Sequence, residues 1–128
     1  MGTTAAPGTQ DPLVGDLRRA GLLPLLVLHF AGDGPCYGSK LINRIRTLTG
    51  GAVSVNPNTM YPLLKALEER GLLLGEWEDP NRHSRRFYTI TPAGETERRR
   101  LVEELAPRLE RIQASLEAIR GTLGVPTR

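Results

Sequence analysis

The chain is 128 residues long, 39% apolar and 24% charged, with a net charge of +3. That suffices for one domain with a modest core, and the balance leans toward an anionic partner. A single cysteine excludes an internal disulfide framework, and two histidines with scattered carboxylates give neither metal-ligand spacing nor a nucleophile–base pair.

Residues 1–10, rich in Gly, Thr, Ala and Pro, read as a disordered tail. They carry no secretory signal, and Ala6 stands where a myristoylation motif after Met1-Gly2 needs Ser or Thr. Asp11-Pro12 is a helix-start pair, and a leucine-rich helix is expected from Asp16 to Phe30, with Pro24 near a start or a kink. The apolar run Leu22 to Ala31 is only about ten residues, interrupted by Pro24 and His29, and too short to span a bilayer. No membrane partner is expected, and the expected location is the cytoplasm.

Gly32-Asp33-Gly34-Pro35 is a turn. Cys36 beside it reads as a small buried residue and not as a redox sensor. The next helix, over 37–48, is expected to bury Leu41, Ile42, Ile45 and Leu48 and to carry Lys40, Arg44 and Thr47 on its other face. Gly50-Gly51 closes it, and Val53-Ser54-Val55 is expected as a short strand.

Asn56 is a good N-cap and Pro57 a good first helical residue, so a third helix starts there. Met60, Leu63, Leu64 and Leu67 follow core-facing helical spacing, which leaves Asn58, Tyr61 and Lys65 on the other side. Pro62 predicts a bend, or a regular part that begins nearer Thr59. After Gly71 two strands are expected, over 72–78 and 85–90, holding Trp77, Tyr88 and Ile90. Between them lies a tip with Arg82, Arg85 and Arg86 around His83.

Thr91-Pro92 repeats the cap-then-proline signal. Leu101, Leu105, Leu109, Ile112, Leu116, Ile119 and Leu123 then recur at spacings of 4, 4, 3, 4, 3 and 4, nearly a coiled-coil seam. The register continues across Pro107, which predicts a kinked helix and not two helices. A long one-sided helix cannot bury such a stripe alone, so a second copy of the chain is the expected partner. Arg98-Arg99-Arg100 reads as a solvated face.

A capped helix with a polar start, followed closely by a basic hairpin, describes a winged helix-turn-helix. The expected fold is mainly α with a small β-hairpin. Residues 11–91 form the winged-helix DNA-binding domain, and residues 92–124 form a dimerisation helix kinked near Pro107. Residues 37–91 carry eight Lys/Arg against five Asp/Glu, and those acids lie between Glu68 and Asp79, away from both the helix start and the tip. The candidate DNA contacts are Lys40, Asn56, Asn58, Thr59, Tyr61, Lys65, Arg82, Arg85 and Arg86. Lys65 and the arginines suit phosphate, Tyr61 suits phosphate through its hydroxyl, and Asn58 suits adenine. The plain alternative for each is a solvated, soluble surface. No catalytic residue, metal or cofactor is expected.

Three segments carry a family resemblance: Gly34-Pro35-Cys36-Tyr37-Gly38, Asn56 to Leu72 with its Thr59-Met60-Tyr61-Pro62-Leu63-Leu64-Lys65 block, and Ser84 to Gly94. Over residues 22–94 the chain resembles the PadR family of bacterial transcriptional regulators. The resemblance implies a homodimeric repressor of the short branch, with one helix after the wing. Two such domains paired about a two-fold axis call for an inverted-repeat operator in double-stranded DNA, and a small-molecule effector is an addition that no residue identifies. Ser39 and Lys40 depart from the family's usual aromatic and acid, and Lys40 adds a phosphate ligand. The tryptophans with which some short members sandwich flat drugs on the dimer helix are absent, since Trp77 is the sole tryptophan. The reading from another class is a dimeric winged-helix protein-interaction module that does not bind DNA. It calls for an acidic or apolar face where this chain is polar to basic.

Overall fold

Gly21 adopts φ 104°, a left-handed conformation that breaks the expected single helix into α1 (Pro12–Arg19) and α2 (Leu22–Ala31). The break at Gly21 leaves Pro24 near a helix start, the first of its two expected places, and not at a kink. The proline sits at the third position of α2, where its missing N–H has no helical acceptor to lose. The computed structural model describes residues 12–82 and 84–126. The tail, the Asp11 cap and His83 lie outside the described residues.

After the turn come β1 (Cys36–Tyr37) and α3 (Gly38–Leu48), then α4 (Pro57–Glu69), β2 (Leu73–Trp77), β3 (Arg86–Ile90) and α5 (Pro92–Leu123). The sheet has three antiparallel strands in the order β1-β3-β2, so the expected hairpin gains an edge strand. Cys36 pairs with Tyr88 and Tyr37 with Phe87. Two residues are too few to show a strand period, which is why this edge escapes pattern reading. The strand expected at Val53–Val55 does not form. Those valines are buried, but the Val53 amide donates to Thr49 Oγ1 at 3.0 Å instead of joining a ladder.

The core is the meeting of α2, α3, α4, the inner sheet face and the first half of α5. Val27, Leu28, Leu41, Ile45, Met60 and Leu64 are wholly enclosed. Leu48 is not. It is 60% exposed, because the last residue of α3 lies past the edge of the core that Leu41 and Ile45 face. Along β3, Tyr88 points inward while Phe87 and Thr89 are half-buried. Cys36 is buried as expected, and burial pushes its thiol up despite the opposing charges of Lys40 and Arg44.

Helix α5 runs 32 residues without a break and is about 48 Å long. Its start is capped by Thr91, whose hydroxyl accepts from the Gly94 amide at 3.0 Å and donates to the Gly71 carbonyl. Pro107 withholds a hydrogen bond from the carbonyl of Glu103, and both residues face solvent, where water replaces it. The predicted seam divides. Leu101 and Leu105 are buried in this protomer's own core, whereas Leu109, Leu116, Ile119 and Leu123 are 45–71% exposed and Ile112 is half-buried.

Candidate nucleic-acid interface

Helices α3 and α4 are joined by an eight-residue turn, 49–56, pinned from inside by Val53 and Val55. Thr49 closes α3 with a hydrogen bond from its hydroxyl to the Ile45 carbonyl. At the far end Asn56 Oδ1 accepts from the Thr59 amide at 3.0 Å, with Pro57 at the first helical position. The carboxamide oxygen of Asn56 is thus engaged in the cap, which leaves the NH2 of this exposed residue as its donor for a ligand.

Met60, Leu64 and Leu67 anchor α4 to the core and fix the opposite face outward. That face presents Asn58, Thr59, Tyr61 and Lys65, all exposed as expected. Pro62 lies on the same outer side inside an unbroken helix. The Tyr61 ring leans over the first residue of α3, since a Cβ built on Gly38 would lie 2.6 Å from Tyr61 Cε1. Lys40, the third residue of α3, is exposed, and Arg44 follows about one turn later on the same helix. Arg44 is held by Asp33 at 3.0 Å and lies 4.4 Å over the Phe30 ring.

The loop between β2 and β3 forms the wing. Asp79 Oδ1 accepts from the Asn81 amide, and the Arg82 amide returns to the Asp79 carbonyl, which turns the tip. Arg82 is highly exposed, 3.7 Å from Asp79, so this acid stands at the tip itself, against the expectation that the acids lie away from it. Arg85 pairs with Glu78 at 3.0 Å and stacks 4.7 Å over Tyr37. This pair is half exposed, and such surface pairs contribute at most about 1 kcal/mol, so a phosphate can replace Glu78. Arg86 differs. Its guanidinium is bonded to both carboxylate oxygens of Glu68 on α4, with Trp77 stacked 5.1 Å away. The sequence groups Arg85 with Arg86, but β3 turns them to opposite faces of the sheet.

Between wing root and helices lies a concavity of about 310 Å³, lined among others by Tyr37, Ser39, Tyr61, Trp77, Ser84 and Tyr88. The run Arg98 to Arg100 is internally matched: Arg98 and Arg99 pair with Glu95, and Arg100 pairs with Glu97. These arginines hold the carboxyls of Glu95 and Glu97 below the usual range. Glu68 was not anticipated as a functional residue. Two signals point to it: it falls four residues after the buried Leu64, and Gly75 interrupts a strand close by.

Residues 27–100, from α2 into α5, match the family described as the transcriptional regulator PadR-like family. The chain belongs to that family. It is 41% identical over 85 residues to the transcriptional regulator Rv3488 of Mycobacterium tuberculosis, covering 64% of this chain and 77% of that protein. A transcriptional regulator from Clostridium thermocellum superposes with a TM-score of 0.68 at 25% identity, over 77% of this chain and 93% of that one. A PadR family regulator from Eggerthella lenta gives 0.62 at 30% identity, over 82% and 89%. This PadR-like protein is therefore a transcriptional regulator and not an enzyme. Among the described residues no helix is long and apolar enough to cross a membrane.

Proposed function

We propose that this PadR-like protein is a cytoplasmic homodimer that binds an inverted-repeat operator in double-stranded DNA and acts as a repressor relieved by a small-molecule effector. The observation that carries the reading is the start of α4: a capped helix end whose exposed residues are Asn58, Thr59 and Tyr61, beside a wing whose Arg82 and Arg85 are open to solvent. Helix-turn-helix proteins aim that end of the helix at base edges. Asn58 is the proposed adenine reader, with Thr59 and Tyr61 alongside. Lys40, Lys65, Arg82 and Arg85 are the proposed phosphate ligands, which fix register without reading sequence. Asn56 contributes through its cap and its NH2. The exposed part of the α5 stripe, from Leu109 through Ile112, Leu116 and Ile119 to Leu123, is the proposed dimer seam.

Footprinting on the promoter of the protein's own gene, with random DNA as competitor, tests this reading. Two protected half-sites are expected, their centres about one helical turn or a small multiple apart. Asn58→Ala should cost about 1–3 kcal/mol on that site and much less on random DNA. An asymmetric single footprint refutes the two-fold arrangement. Absence of any protection favours the protein-interaction module instead.

A further inference from the structure

Of the wing arginines, Arg86 is the one held most firmly by the protein itself, at the edge of the concavity between wing root and helices. Its side chain is 27% exposed and its partner Glu68 29%, less than either member of the Arg85–Glu78 pair. Arg86 Nε and one terminal nitrogen reach the two oxygens of Glu68, which gives the planar, two-pronged geometry that fixes direction as well as distance. Trp77, the residue directly across the ladder from Arg86, covers one side of the guanidinium. Gly75 sits beneath the pair: a Cβ there would lie 2.6 Å from Arg86 Nε and 2.7 Å from Glu68 Oε1. The strand thus carries a glycine where the ion pair crosses it. Tyr88 is buried two residues further along β3, and the Glu68 carboxylate holds the guanidinium above its usual range.

We propose that the Glu68–Arg86 pair is a lock between α4 and the wing, and that both are positioning residues for operator binding and not DNA ligands. The inference rests on the DNA-binding reading above. Helix α4 and the wing must meet one duplex at a fixed mutual angle. The wing tip extends past the last ladder pair, Trp77 with Arg86, so its direction is set at its root. The lock sits at that root and joins it to the last turn of α4.

Two substitutions discriminate. Glu68→Gln removes a negative charge near the DNA face and frees Arg86, so electrostatics alone makes it bind DNA as tightly as the parent or tighter. The lock predicts the opposite, a loss of about tenfold on the operator, the scale of coupling between neighbouring groups. Gly75→Ala wedges the pair apart with no change of charge and should give a similar loss. Fluorescence anisotropy with labelled operator, combined with stoichiometric titration, separates this from instability: a merely destabilised protein shows a smaller active fraction at unchanged Kd. In an Arg82→Ala, Arg85→Ala background the Glu68→Gln loss should shrink to about twofold, because the wing contacts it serves are already gone. A parent that binds while both Glu68→Gln and Gly75→Ala bind equally well or better overturns the lock alone. A parent that binds no DNA overturns the DNA reading with it.

Discussion

The apolar stripe of α5 serves two different surfaces, and a pair of substitutions separates them. Leu105 is 2% exposed within the protomer, so Leu105→Ala should cost about 2–5 kcal/mol of folding stability through lost transfer energy and a residual cavity. Leu116 is half exposed in the protomer, so its loss there is small. Its proposed role is at the seam, with Leu109, Ile119 and Leu123. Complete burial of a Leu or Ile side chain contributes about 1.5–3 kcal/mol, and roughly half of each remains to be covered, which leaves on the order of 1 kcal/mol per side chain. Both copies contribute, so each of the four positions counts twice at the seam. Leu116→Asp removes part of that and places two unpaired carboxylates at one symmetric seam, each costing several kcal/mol. The dimer should weaken by at least about a thousandfold. Sedimentation at micromolar concentration is the assay, with thermal melts at two protein concentrations. The parent should sediment as a dimer and melt higher when concentrated. Leu116→Asp should sediment as a folded monomer whose melting is independent of concentration, and Leu105→Ala should melt lower while still dimeric when cold. A Leu116→Asp protein that stays dimeric refutes the seam, and a Leu105→Ala protein of parental stability refutes the division of the stripe.

Arg85→Ala should weaken operator and random DNA about equally and reduce the slope of log affinity against log salt by about one, measured by anisotropy titrations across a salt series. Loss of operator preference at an unchanged slope would mean that Arg85 reads bases. Gly38→Ala forces a methyl to 2.6 Å from the Tyr61 ring. The half-exposed ring can swing outward, so urea unfolding should show a loss of only about 1 kcal/mol while operator binding declines; parental binding would remove Tyr61 from the interface. Because burial raises the Cys36 thiol above its unfolded value, its contribution to stability is complete below about pH 8.5 and is lost as pH rises through the higher folded value. Urea midpoints should therefore fall above that pH, by less in Cys36→Ala, and a disulfide reagent at pH 8 should label native Cys36 far more slowly than urea-unfolded chain. Equal labelling rates would contradict its burial.

The local signals in this sequence are strong wherever a residue acts on its own neighbours along the chain. Asn56 before Pro57 and Thr91 before Pro92 specify two helix starts, because a cap bonds an amide only three residues away. The spacing of Met60, Leu64 and Lys65 determines which face of α4 is turned outward, since helical geometry fixes the angle between them. The Thr59 to Lys65 block likewise carries the PadR-like family. Only tertiary packing decided the rest. The Cys36–Tyr37 edge strand exists because β3 offers it a ladder 50 residues away, while Val53–Val55 meets no strand and packs as buried turn. Leu101 to Leu123 reads as one uniform seam, yet where the core ends along α5 depends on how far α2 and the sheet extend beside it. Arg85 and Arg86 are chemically alike in sequence. The alternation of β3 sends one to solvent and the other to Glu68, and a carboxylate 18 residues away is beyond any local rule.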